Sequence, residues 1–353
     1  MKIALDNTSG QLLDRDGFLL VYDYLSFRPE GFQFAKAYKN KHWDGWRHVL
    51  SLTGKFPAGL TGQVVRLLRQ NGVEVEIQDN RIRPEMHEIL SSLKLTKELE
   101  PHQYHASMQI AELGRGVVHH PVGSGKSVVI VDAARRIAVP TLVLVQSTEL
   151  LYQQAEQFKD CLGRRDIIGV VGDGEWAPSL YTVATIQTLM AKMRDLKGTK
   201  WMMEWLKQWQ AVFIDECHHL PAASYEKLLQ RVPNAYFRVG FSATPHRSGK
   251  KEQELMVTGM TGDIISQQGF IESRQVPADV FMVPPGGYHP PKGIKYPEEV
   301  ELGIIRNDER NDLIGRASQV FGGLGPTLVL TERIEHGERL RQWLINNGHK
   351  EMK

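Results

Sequence analysis

Between residues 100 and 283, largely apolar, β-branched runs recur: Gly116-Val117-Val118, Thr141 to Val145, Ala211 to Ile214 and Phe237-Arg238-Val239-Gly240-Phe241. Helix-length stretches separate them. Runs that do not alternate with polar positions predict strands buried on both faces, the pattern of a parallel sheet with helical crossovers. This section is therefore expected to be α/β. The first 84 residues read instead as short strands and turns. Gly17 to Tyr22 predicts a strand, Trp43-Asp44-Gly45-Trp46 a tight turn, Leu60 to Asn71 a helix closed by Gly72, and the alternation Val73 to Ile77 another strand. Pro84 is the expected boundary. The Pro- and Gly-rich piece Pro284 to Pro291 predicts a linker. A final section holds a helix around Arg310 to Phe321, a strand Thr327 to Leu330 and a helix Glu335 to Asn346. One strand cannot make a sheet, so this section reads as the beginning of a domain. The expected domains are thus 1–84, 85–283 and 298–353, with 284–297 as the linker.

The chain's 353 residues suffice for two or three cores, and its hydrophobic (41%) and charged (24%) fractions fit a globular protein and argue against wholesale disorder. No apolar run approaches the roughly 18 residues of a membrane span. Two cysteines exclude a disulfide framework and a four-thiolate zinc site, so a reducing cytoplasm is expected. The net charge of +2 conceals an uneven distribution. Between Arg28 and Arg69 eight basic residues stand against two acidic ones, a local +6 that leaves −4 for the remainder. A basic segment in a mildly acidic chain points to a polyanion contact there. Lys36, Lys39, Lys41 and Arg47 are its candidate phosphate ligands.

Pro121-Val122-Gly123-Ser124-Gly125-Lys126-Ser127 follows one predicted strand and opens an Ala-rich helix. Gly123, Ser124 and Gly125 let backbone N–H groups close around phosphates. Lys126 would reach the β- and γ-phosphates, and the Ser127 hydroxyl would ligate Mg²⁺. The strict pattern has glycine where His120 stands. Ile214-Asp215-Glu216-Cys217-His218-His219 closes another strand, where Asp215 is placed to hold Mg²⁺ and Glu216 to polarise an attacking water. Neighbouring histidines at 119/120 and 218/219 point in different directions, which disfavours a metal reading. Phe241-Ser242-Ala243-Thr244-Pro245 ends a third strand.

These three motifs, in this order, resemble the first motor lobe of superfamily 2 helicases. The resemblance implies a RecA-like parallel sheet with helices on both faces, using ATP and Mg²⁺. It implies that Ser242 and Thr244 couple the phosphate state to nucleic-acid grip, with His218 linking the ATP site to that loop. It also implies backbone contacts by Ser147 and Thr148 and by Thr185 and Gln187. Family members carry a Tyr-Gln pair ahead of the phosphate loop. Here Pro101-His102-Gln103-Tyr104-His105 reverses the order, so either Gln103 or His105 would read the base, and Gln103 is preferred.

Leu25-Ser26-Phe27, Gly31-Phe32-Gln33-Phe34, Trp43-Asp44-Gly45 and Lys55 to Leu60 further resemble the domain preceding the motor in phage recombination helicases of the UvsW type. That implies a small α+β DNA-binding domain and ATP-driven remodelling of branched DNA, by branch migration, fork regression or R-loop unwinding, in a host cytoplasm. The aromatics Phe32, Phe34, Tyr38, Trp43, Trp46 and Phe56 fit the small domain's core, and alternatively a stacking surface. The family's arginine fingers lie on a second lobe of which only the start is recognised, so that lobe is expected to be incomplete and hydrolysis by this chain alone weak. The competing reading is a non-catalytic ATP-dependent nucleic-acid binder, or a motor subunit completed by a second chain in a split helicase or restriction-type motor. A type III-like restriction enzyme would need a nuclease centre, and no Pro-Asp…Glu-x-Lys set is found. A small-molecule kinase has no use for the second and third motifs.

Overall fold

In the computed structural model, which describes residues 1–194, 199–246, 250–269, 291 and 293–348, the chain divides into two units, Met1–Gln275 and Val276–Lys353. The first opens with β1 (Lys2–Leu5), β2 (Ser9–Leu12), α1 (Phe18–Tyr24), β3 (Ser26–Phe27), α2 (Lys36–Lys39), β4 (Arg47–His48), β5 (Lys55–Pro57), α3 (Thr61–Gln70) and β6 (Glu76–Asp79). Strands in the order β5-β2-β1-β6 make one small sheet, and β3 and β4 pair as another. Two expectations need correcting. Gly17 to Tyr22 is helical: Gly17 adopts a left-handed φ of 76° as the N-cap, and Phe18, Val21 and Leu25 bury one helical face. A short apolar run fits either period, and packing decides it. The strand expected at Val73 to Ile77 lies further along, where Glu76 to Asp79 pair in parallel with Lys2 to Leu5.

The larger part follows as α4 (Glu88–Ser91), α5 (Pro101–Leu113), β7 (Arg115–His119), α6 (Lys126–Ile137), β8 (Thr141–Val145), α7 (Thr148–Leu162), β9 (Ile168–Gly172), β10 (Glu175–Ala177), β11 (Tyr181–Thr185), α8 (Ile186–Arg194), α9 (Thr199–Lys207), β12 (Ala211–Asp215), α10 (Ala223–Leu229), β13 (Phe237–Ser242), α11 (Lys251–Met260) and β14 (Ile264–Gln267). Eight strands order as β10-β9-β11-β8-β12-β13-β7-β14. All pairs are parallel except β10 with β9. Strands β8, β9, β11 and β13 are buried at every position, as their largely apolar runs require. Separate apolar clusters cover the two faces. The α/β expectation holds.

Helix α11 belongs to two cores. Met256, Val257 and Met260 pack under the large sheet, while Leu255 packs with Val21, Phe56, Leu60 and Val64 of the small domain. A Cβ at Gly59 would lie 2.0 Å from the Thr258 carbonyl oxygen, so only glycine allows this approach. Arg47–Glu226 (2.6 Å), Arg66–Asp263 (2.8 Å) and Lys250–Glu30 (2.7 Å) ring the contact.

The second unit holds, among its described residues, α12 (Tyr296–Val300), α13 (Asp308–Gly322) and α14 (Ile334–Asn346). Gly315 lets Trp343 lie against α13, and Asn311 bonds His336 at 2.8 Å. The strand expected at Thr327 to Leu330 is not formed. Leu328 and Leu330 are 79% and 83% exposed, and no described residue pairs with this segment. An extended run with no neighbouring ladder has nothing to satisfy its backbone except water. The linker expected at 284–297 lies in large part outside the described residues.

Gly59→Ala is expected to lower unfolding stability by about 2–3 kcal/mol, because backbone on both sides must shift. Denaturant midpoints read by circular dichroism test this.

Candidate nucleotide site and nucleic-acid face

The sheet register assembles the site. β13 lies between β7 and β12, with Ser242 opposite His119 and Phe241 opposite Asp215. The three motif loops therefore leave the sheet's carboxyl edge side by side. His119 Nε2 lies 3.1 Å from the Ala243 carbonyl, tying the first loop to the third.

In the phosphate loop, Gly123 (φ 78°) and Gly125 (φ 80°) take left-handed conformations, and Gly125 caps α6. Position 120 does not share that conformation, which explains why histidine is tolerated there. The His120 ring is buried, with Nε2 2.9 Å from Ser266 Oγ on β14. Burial, helped by His102, Lys126 and His119, pushes its pKa down to about 4, so it is neutral at physiological pH. Lys126 Nζ donates to the carbonyls of Pro121 (3.1 Å) and His120 (3.3 Å), folding the ammonium into the loop. The Ser124 hydroxyl is buried with no partner among the described residues. A loop with its glycines left-handed, its lysine inside and a buried hydroxyl unmatched fits the phosphates of a nucleotide.

Gln103 closes this loop from α5. Its Oε1 accepts from Glu100 N–H in a capping box, and its Nε2 donates to the Ser124 carbonyl at 3.1 Å. Its amide fills the space a Cβ at Gly125 would need, 2.3 Å away. His102, which sequence reasoning passed over, reaches the same carbonyl at 2.9 Å, whereas His105 is exposed. Buried Asp132 locks α5 to α6 by accepting from Ser107 (2.5 Å), Arg135 (2.6 Å) and Arg136 (2.6 Å). Burial alone would raise that carboxyl, but these hydrogen bonds outweigh it and hold it below its ordinary value.

Burial and then the neighbouring Glu216 push Asp215 up to about 6, against the lowering effects of the Glu216 N–H and Lys126. Glu216 itself takes a left-handed φ of 50°, a strained conformation for a side-chain-bearing residue. Its Oε2 accepts from Ser242 Oγ at 3.3 Å and lies 3.2 Å from His218 Nδ1. Ser242 Oγ lies 2.9 Å from that same Nδ1 and accepts from Thr244 N–H at 3.1 Å. Glu216, His218, Ser242 and Thr244 thus form one hydrogen-bonded set. Gln253 of α11, also missed from sequence, donates to the His218 carbonyl at 3.2 Å.

Further along the edge, Thr185 stands opposite Val145. Ser147 caps α7, accepting from Leu150 N–H at 3.2 Å, and Thr148 is exposed beside it. Gln187 is exposed and donates to the Gln146 carbonyl at 2.7 Å. Thr185 is buried, its hydroxyl turned to Thr188, so it is not brought to this surface. Lys36, Lys39 and Lys41 are exposed on the small domain. Arg47 differs from them, since its guanidinium is already paired with Glu226, 179 residues away in sequence. Only Phe56 of the six aromatics is core. Phe34 is 72% exposed, and Arg28 sits 5.0 and 4.9 Å from the ring centres of Phe32 and Trp46.

The model of the type III restriction enzyme res subunit family matches residues 95–247. The model of the UvsW helicase amino-terminal domain matches residues 10–78. The chain resembles superfamily 2 helicases of the UvsW type. It is 25% identical to the ATP-dependent DNA helicase uvsW of Enterobacteria phage T4 over 93% of its own length and 69% of that protein's. A DNA 3'-5' translocase XPB2 of Sulfurisphaera tokodaii is 29% identical over 53% of this chain and 39% of its own. A crystal structure of bacteriophage T4 UvsW shares the fold, with a TM-score of 0.60 and 22% identity over 99% of this chain and 74% of that one.

Asp215 carries a stability signature. A carboxyl raised on folding binds its proton more tightly in the native state, so its contribution to stability falls as pH rises from about 4 to about 6. Asp215→Asn should therefore stabilise the nucleotide-free protein by up to about 3 kcal/mol at pH 7–8 and leave it unchanged near pH 4. Urea midpoints at the two pH values check the sign.

Proposed function

We propose that the chain is a DNA-stimulated ATPase motor that remodels branched DNA, as the resemblance to UvsW suggests, in the reducing cytoplasm of a bacterial host. The observation that carries this reading is the Glu216–His218–Ser242–Thr244 set. A carboxylate that only ligated a metal has no need of a hydrogen-bonded path into the adjacent loop, whereas a motor does. Lys126, Ser127 and Asp215 would hold Mg²⁺ and the β- and γ-phosphates, with Gly123, Ser124 and Gly125 offering backbone N–H groups. Mg²⁺–ATP, when bound, supplies the phosphoanhydride and neutralises its developing charge. Gln103 and His102 fix the loop from the side where a base would lie. Glu216 orients a water through the carboxylate that His218 and Ser242 restrain, and Ser242 carries that state to Thr244. Ser147, Thr148 and Gln187, on the same sheet edge, would meet the DNA backbone. Lys36, Lys39 and Lys41 would extend that contact over the small domain, without Arg47 and Thr185.

The roles separate by experiment. Lys126→Ala should abolish ATP binding in calorimetry. Glu216→Gln should keep binding and lower the hydrolysis rate by about 10²–10⁴-fold. His218→Ala should keep ATP binding, lower basal hydrolysis as the Glu216 carboxylate is freed, and lose the stimulation by DNA over its own basal rate. Equal stimulation in His218→Ala and wild type would count against coupling through this set.

Replacing Lys36, Lys39 and Lys41 together by Gln should weaken binding to forked DNA of any sequence. The slope of log affinity against log salt should become shallower by up to about three units. An unchanged slope in the folded variant would return these lysines to an ordinary solvated face.

A further inference from the structure

Away from the motifs, four tryptophans form a ladder from the core to the surface. Trp201, Trp205 and Trp209 recur every four residues from α9 onward. Trp209 and Trp205 are buried, and their rings meet at 5.2 Å. Trp205 in turn meets Trp176 of β10 at 5.0 Å, and Trp176 meets Trp201 at 5.2 Å. The last ring is 51% exposed. Burial accounts for the inner pair but not for the outer one, because the core under α9 is already closed by Trp205 and Trp209.

The charge around the outer pair is basic. Lys192 Nζ lies 5.8 Å from the Trp176 ring centre, and Arg194 and Lys200 are exposed nearby in sequence. Among the described residues nearby, Glu204 is paired with Lys207 at 2.8 Å, and Glu175 is exposed. Helix α8 supplies the continuity. It begins at the exposed Gln187 and ends at Arg194, and residues 187, 191 and 194 share its solvent face by helical spacing. An exposed indole backed by a second indole tilted at 54°, which itself carries a cation over its ring, suits a nucleobase, since any base can stack on it and the cations meet the phosphates.

We propose that Trp201, supported by Trp176 over whose ring Lys192 lies, is a stacking site for an unpaired DNA base, an outpost of the nucleic-acid face beyond Gln187. It rests on the reading that this sheet edge binds DNA. The test is binding of the full chain to a fluorescent dT20 oligonucleotide, read by anisotropy across a salt series, with sedimentation run in parallel. Trp201→Ala should weaken binding at least about fivefold with no change in salt slope, because stacking releases no counterions. Trp201→Phe should recover most of the loss, and Lys192→Gln should lower the slope by about one unit. Wild-type affinity in a folded Trp201→Ala overturns the stacking site while leaving the wider reading intact. So does unchanged DNA binding together with lost self-association, which would make the patch a contact between copies. A wild-type chain that binds neither dT20 nor forked DNA overturns the wider reading, and this site with it.

Discussion

Everything at the site depends on the parallel register that seats β13 between β7 and β12. His119 stands level with Ser242, and Phe241 with Asp215. A shift of one residue in either pairing would send every side chain to the opposite face and break the packing of both apolar clusters, so those clusters fix the register. The loops after the three strands then have no choice but to meet. The Glu216–His218–Ser242 contacts are a consequence of where strands packed on both faces must end. Close packing also leaves these loop bases little room to move independently.

The same edge is where the fold carries its polar strain. Asp215 is held protonated to unusually high pH, His120 is kept neutral, Glu216 is left-handed and the Ser124 hydroxyl is buried without a partner among the described residues. At the opposite end of the sheet, charge is handled differently. Arg238 is wholly buried, yet its guanidinium donates to the carbonyls of Leu229, Val232 and Ala235, three ordinary acceptors. The guanidinium of Arg238 is thus matched by backbone, whereas the phosphate-loop edge holds a buried hydroxyl and a raised carboxyl. Functional sites are commonly built against stability in this way.

How far residues alone could reveal this follows from the range of the forces. The motor strands were readable because burial on both faces leaves largely apolar runs, and the phosphate loop because its glycines and lysine are contiguous. Gly17 to Tyr22 was misread because six residues cannot separate a period of 2 from one of 3.6. Thr327 to Leu330 has strand-like composition, but a strand is defined by a partner. Arg47 looked like its neighbours Lys36 and Lys39, since nothing local announces a carboxylate 179 positions later. His102 was within reach, one residue from Gln103 on the same helix. Gln253 was not, because its role exists only once α11 crosses the second motif.

Helix α11 ties the small domain to the large sheet. Leu255 sits in one core and its neighbours Met256 and Val257 in the other, so neither core can close without the other's helix in place. Gly59 presses on the backbone of Thr258 and Gly259 closely enough to exclude even a methyl group. Such a contact resists sliding, and the flanking ion pairs resist rotation. On the same helix Gln253 holds the His218 carbonyl. The residue that joins the carboxylate to the third motif is thereby joined to the helix that carries the small domain.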